Sequence, residues 1–182
     1  MSDNQRGESA SCPYASHLEV TVACAIRSGM IWPDSSILEL GCGDYSTPTL
    51  ASITSAQGRH LTVISSDNSW ASRYAYLIGP RFDLKVIDRI SWPRIEFAGP
   101  HGMVLVDNQQ TVFDRLKLVR RLGAVANTVV LHDADVVERA GRSWHPIKRL
   151  FKYLYIHRQR RPFTAVMSNR VDPQSWFEQA DH

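Results

Sequence analysis

Five short apolar runs limit what this chain can fold into more than any other feature. They are SILEL (36–40), LTVISS (61–66), DLKVI (83–87), GMVLVD (102–107) and NTVVLHD (127–133). Several are continuously apolar rather than alternating, as strands buried on both faces are. Helical patterns separate them. One runs from Tyr14 with Leu18, Val22, Ala25 and Ile26 on one face and Gly29 at its end. A second has Thr47 as N-cap, Pro48 at the first helical position, Leu50 and Ile53 inward and Gly58 as its stop. A third starts near Ser69, with Trp70, Tyr74, Leu77 and Ile78 at helical spacing before Gly79 and Pro80. A fourth turns Val112, Leu116 and Val119 inward and ends at Gly123, and a fifth carries Ile147, Leu150, Phe151 and Leu154. FTAVMS (163–168) reads as one more strand. Strands alternating with helices predict an α/β architecture: a mainly parallel sheet of six or seven strands with helices on both faces.

The 182 residues show no internal repeat, low-complexity block or linker, so one domain over 14–182 is expected, preceded by a flexible N-terminus over 1–13. The start of the chain lacks a signal-peptide pattern, and the longest apolar run, VTVACAI (20–26), is too short to span a bilayer. These features point to a cytoplasmic protein without membrane contact. Cys12, Cys24 and Cys42 form no complete disulfide set and no metal-ligand spacing. Net charge is only +3, but it is unevenly placed: between 141 and 170 stand Arg142, Lys148, Arg149, Lys152, Arg158, Arg160, Arg161 and Arg170 without an acid. Such a stretch is a solvated face or a docking surface for phosphate or an acidic partner.

In open parallel sheets, ligands sit beyond the carboxyl ends of the strands, where strand order reverses. The first run ends in Glu39, Gly41 and Gly43, spaced E-x-G-x-G between a strand and a helix. The second ends at Asp67, placed either to accept from the two hydroxyls of a ribose or to cap the helix near Ser69. The fourth ends at Asp107 and Asn108, the fifth at His132, Asp133 and Asp135. An acid after an apolar strand must emerge into solvent or a pocket, and several on one rim point to a binding site. No G-x-x-x-x-G-K-[ST] is present, which excludes a P-loop nucleotidase, and no third glycine follows Gly43 as a dinucleotide site requires.

ILELGCGDYST, VISSD, MVLVDN and VVLHDAD, in that order over 37–135, resemble the successive motifs of class I S-adenosylmethionine-dependent methyltransferases. The resemblance implies a Rossmann-like sheet, usually of seven strands with the last antiparallel. It implies S-adenosylmethionine as cofactor, with Glu39, Gly41 and Gly43 around its methionine and ribose. Asp67 would then bind the ribose hydroxyls, Asp88 would lie near the adenine, and Asp107 beside the amino acid portion or the substrate. Tyr45 stands where many members have glycine. The segment after the fifth strand reads as one helix and one strand rather than a helix and a hairpin. That leaves a compact or open substrate site, which a second subunit of a homodimer would complete.

Methyl transfer from a sulfonium is an in-line displacement in which the protein chiefly aligns nucleophile, methyl and sulfur. His132, Asp133 and Asp107 are the candidates for a base acting on a small-molecule acceptor. Trp144 and His145 are candidates for a substrate wall. Magnesium-dependent relatives place an Asp-Asn pair after the fifth strand; here Ala134 replaces the Asn, so no metal is expected. The alternatives are an RNA substrate held by the basic 142–161 segment, a non-methylating use of S-adenosylmethionine, and a catalytically silent partner protein.

Overall fold

A computed structural model of the chain describes residues 17–177. The expected flexible segment 1–13 and the helix start at Tyr14 lie outside the described residues. Seven strands form one sheet: β1 (Ser36–Leu40), β2 (Leu61–Ser65), β3 (Phe82–Val86), β4 (His101–Val106), β5 (Ala126–Leu131), β6 (Tyr153–His157) and β7 (Thr164–Ser168). Their order is β3-β2-β1-β4-β5-β7-β6. Strands β1 to β5 pair in parallel, and β7 runs antiparallel to both β5 and β6. The order reverses between β1 and β4, so the crevice expected of such a sheet opens beyond Leu40 and Val106.

Both faces of the sheet are covered, which is why the strands read as unbroken apolar runs. Ile37 packs with Val20 and Cys24 of helix α1 (Leu18–Ile31) and Leu50 of α2 (Ser46–Ala56). Its neighbours Leu38 and Leu40 belong to the opposite layer, with Leu118, Val119 and Leu122 of α4 (Val112–Leu122). Side chains alternate along a strand, so Glu39 shares the Ile37 face and is carried into the interior under α2. No helix among the described residues is long and apolar enough to cross a membrane.

The expectations for three helices need local correction. Helix α1 continues through Gly29 to Ile31 and buries Val20, Thr21, Cys24, Ala25 and Ser28, leaving Ile26 exposed. The smaller side chains let the helix lie close on the sheet, and Pro33 rather than Gly29 enforces the stop by restricting Trp32. Helix α2 begins at Ser46, so Thr47 is not its cap; the Thr47 hydroxyl instead accepts from the Gly43 N–H at 3.0 Å and braces the turn. The helix near Ser69 is only α3 (Asn68–Ser72), followed by a 3-10 turn (Ala75–Leu77). Tyr74 is drawn inward by donating to Asp44 Oδ1 at 2.7 Å, while Ile78 stays exposed.

The largest correction concerns the C-terminal third. After α5 (Ala134–Arg139) comes a single helical turn, α6 (His145–Lys148), and then strand β6, where one amphipathic helix through Leu154 was expected. A full β6–β7 hairpin therefore follows the fifth strand, and the sheet has seven strands. Ile147 and Phe151 do reach the core, but from a turn and a loop. The basic residues are consequently spread around α6, at Lys152 just before β6 and over the hairpin turn rather than along one helix face.

Candidate active site

The carboxyl ends of β1, β4 and β5 meet at the crevice, and main-chain bonds fix them there. Gly41 N–H donates to Ile64 O, Asp107 N–H to Leu40 O and His132 N–H to Val106 O. Gly41 has φ +102°, and a Cβ there would stand 2.3 Å from the Asp107 carbonyl oxygen. Its glycine requirement thus comes from the neighbouring strand end, not from a ligand alone. Gly43 has no such strain and lines the cavity directly.

Two hollows adjoin at this edge. The larger, about 780 Å³, has walls that include His17, Gly43, Tyr45, Asp107, His132 and Asp133. The smaller, about 260 Å³, lies over the β1 and β2 ends and is bounded by Gly41, Cys42, Ser65, Asp67 and Asn108 among others. Trp70 and Asp107 are walls of both. Both side-chain polar atoms of Asn108, a residue 1% exposed, have no hydrogen-bond partner among the described residues.

The larger hollow holds a compact charged network. His132 Nδ1 and Asp107 Oδ1 are hydrogen-bonded at 2.9 Å, and His132 Nε2 is 3.7 Å from Asp133 Oδ1. Arg115 of α4 clamps the two strand ends together. Its Nε donates to Asn108 O at 2.8 Å, and its Nη1 donates to Asp133 Oδ2 at 3.0 Å and to His132 O at 3.3 Å. Burial pulls the His132 imidazolium down, but the Asp107 hydrogen bond and the charges of Asp107 and Asp133 outweigh it, so its pKa lies above the ordinary 6.5. Burial works against the Asp107 carboxylate too. Its bond to His132 and the charges of His132, His17 and Arg115 prevail and hold it below the usual range. His17, the residue before α1, has its ring centroid 4.1 Å from that of His132. Burial, reinforced by His132, pushes His17 down to about 4.

Of the residues singled out in the sequence, Gly41, Gly43, Asp67, Asp107, His132 and Asp133 line one hollow or the other. Glu39 and Asp88 do not. Glu39 is fully buried; Ser46 donates to its Oε1 at 2.5 Å, its Oε2 has no hydrogen-bond partner among the described residues, and desolvation raises it to about 8. Asp88 sits exposed before the 3-10 helix Arg89–Arg94. Asp67 caps α3: its Oδ1 accepts from the N–H groups of Ser69 and Trp70, which together with the Ser69 hydroxyl lowers its pKa. Asp67 is at the same time a wall of the smaller hollow. Trp144 is packed in the core with Nε1 donating to Glu138, and neither it nor His145 lines these two hollows. His17 and Arg115 carried no signal at the strand ends. Arg115 was findable as one turn into the helix that follows LVDNQQ, whereas the position of His17 depends wholly on how α1 lies across β4 and β5.

No protein-family model matches the sequence, and a search of curated proteins finds no similar one. Solved structures do match over most of the chain. Rv0187 from MTB, solved with cofactor bound, superposes with a TM-score of 0.59 at 14% identity, over 84% of this chain and 81% of that one. The O-methyltransferase TomG from Streptomyces achromogenes, involved in tomaymycin synthesis and solved with S-adenosylmethionine, gives 0.56 at 17% identity, over 86% and 87%. The 23S rRNA methyltransferase ErmE gives 0.52 at 15% identity, over 85% and 69%. At these identities the likeness defines the fold: the chain has the α/β, Rossmann-like fold of class I methyltransferases, a mostly parallel seven-stranded sheet with one antiparallel hairpin.

Proposed function

We propose that this protein is an S-adenosylmethionine-dependent methyltransferase acting on a small molecule. The observation that carries the reading is the pair of adjoining hollows at the switch point. One is bounded by the glycine turn and Asp67 and suits a nucleoside; the other, built around His132 and Asp107, suits an acceptor. TomG, with this fold and S-adenosylmethionine bound, supports the cofactor assignment. Gly41 and Gly43 shape the turn beside the cofactor, Asp67 Oδ2 accepts from the ribose, and Asn108 offers its unpartnered carboxamide to the same ligand. Glu39 braces the turn from below. Asp88 would contact the adenine only if the segment 87–95 moves inward.

The bound cofactor supplies the electrophilic methyl group. The chain orients the acceptor and takes its proton. His132, held by Asp107 and raised above its ordinary pKa, is the base, with Asp133 as the second carboxylate facing the same ring. A cavity of about 780 Å³ falls within the size range of small-molecule sites. One observation favours a second reading, with RNA as acceptor. Pro162 walls the larger hollow, and Arg160 and Arg161 precede it, so a basic turn flanks the mouth.

Calorimetric titration of S-adenosylmethionine and S-adenosylhomocysteine into wild type, Asp67→Ala and Asp67→Asn tests the assignment. Binding by wild type that weakens at least tenfold in both variants is expected. Asn retains the cap, so it separates the ribose contact from the stability of α3. Folded wild type that binds neither compound overturns the reading. RNA binding that falls steeply with salt and is lost in a combined Arg160→Ala, Arg161→Ala variant would select the second acceptor class.

A further inference from the structure

The larger hollow contains three side chains that the methyl-transfer reading uses only in part. His17, Asp107 and His132 each present one ligand atom, and these atoms lie within 4.8 Å of one another. His132 Nδ1 and Asp107 Oδ1 are 2.9 Å apart, and His17 Nε2 is 3.9 Å from Asp107 Oδ2. Two ligands about 2.1 Å from one ion at near right angles stand about 3 Å apart, so the first pair already has ligand spacing. The His17 nitrogen, measured to the other carboxylate oxygen, stands farther out, so its ring must move inward for the three to share one ion.

A second, independent observation points to a ligand. His17 is 4% exposed, and among the described residues neither of its ring nitrogens has a hydrogen-bond partner. An imidazole so deeply buried ordinarily satisfies at least one nitrogen, because a polar atom buried without a partner has given up its bonds to water for nothing. It faces the cavity beside His132.

We propose that His17, Asp107 and His132 bind a divalent transition-metal ion of the zinc or iron(II) class. Two imidazoles and one carboxylate suit these ions, whereas magnesium prefers an all-oxygen shell. The ligands come from three elements packed together: the start of α1 and the ends of β4 and β5. Three protein ligands on one side leave the remaining coordination positions toward the cavity, the arrangement of a reactive rather than a purely structural site. Arg115 Nη2, 4.0 Å from Asp107 Oδ1, opposes the ion electrostatically, and Asp133, already paired with Arg115, offsets that charge. The ion and the proton shared by His132 and Asp107 occupy the same lone pairs. With the ion bound, an acceptor oxygen is polarised by the metal, and Asp133, outside the ligand set, is left to take its proton.

The site does not depend on the methyl-transfer reading, and its test uses no cofactor. Tag-free, metal-stripped full-length protein is titrated with Zn²⁺ by calorimetry and with Co²⁺ by visible absorption. Wild type is expected to bind one ion per chain. Removing a ligand in His17→Ala or His132→Ala is expected to weaken binding by at least the about 10–100-fold typical of losing an outer partner, while the surface variant His145→Ala binds as wild type does. Should the ligand variants fold poorly, proton NMR of Co²⁺-loaded wild type must show hyperfine-shifted imidazole signals from two histidines. Folded wild type without one-to-one binding, His17→Ala with unchanged affinity, or a cobalt form lacking those two signals overturns the proposal. S-adenosylmethionine binding in the absence of metal binding would leave the proposed function standing and remove only this site.

Discussion

Single side chains at the strand ends carry both stability and chemistry, and Glu39 shows how they trade. Its folded pKa of about 8 exceeds its ordinary 4.5, so between those values the folded state holds a proton that the unfolded chain has lost. The stability it permits is fully present below pH 4.5 and declines as pH rises to about 8, by at most about 1.4 kcal/mol per pH unit. Glu39→Gln keeps the shape without the titration, so its urea midpoint should change less between pH 5 and pH 8 than that of wild type. Equal pH dependence in both would mean the carboxyl ionises normally. Gly41 and Gly43 should separate in the same assay. Gly41→Ala forces alanine to φ +102° and against the Asp107 carbonyl, and the backbone conformation alone costs about 1–3 kcal/mol. Gly43→Ala meets only Ser46 Oγ at 3.2 Å and should cost less. Gly41 and Asp107 could be read from the sequence because each follows an apolar run, and Glu39 because it interrupts one. His17 could not, since nothing near it in the chain indicates that α1 brings it over β4 and β5.

At the level of elements, α4 is tied to the sheet edge by one guanidinium. Arg115→Met removes the bonds to the Asn108 and His132 carbonyls and to Asp133, and breaking such a largely buried pair is expected to destabilise by about 2–4 kcal/mol. It also removes a cation that holds the His132 pKa down, so imidazole titration followed by NMR should show His132 shifting further upward. A downward shift would assign the main influence of Arg115 to packing. The parallel strands were legible because continuous apolar runs need cover on both faces. Strand β6 was not, for Ile147, Leu150, Phe151 and Leu154 happen to stand at helical spacing. As an edge strand with only half-buried residues before His157, YLYIH lacks the strong apolar signature of its neighbours.

For the molecule as a whole, the proposed cofactor should act as a stabiliser. At 100 times its dissociation constant, a ligand that binds only the folded state adds about 2.7 kcal/mol. For a chain of this size that is a rise in Tm of about 5–10 °C. Thermal unfolding of wild type should show this with S-adenosylmethionine, and Asp67→Asn should show much less at the same concentration. The switch point where this ligand would sit was legible as a rule about strand order. The two-hollow geometry was not, since it arises from how Trp70 on α3 and Asp107 just past β4 converge across the crevice.

That shared wall has a consequence for the order of events. A group that fills the smaller hollow presses on the same indole and carboxylate that bound the larger, so the two occupants cannot ignore each other energetically. Whatever factor the first changes the affinity of the second, the second must return to the first. A product leaving one side would therefore alter the hold on whatever remains in the other.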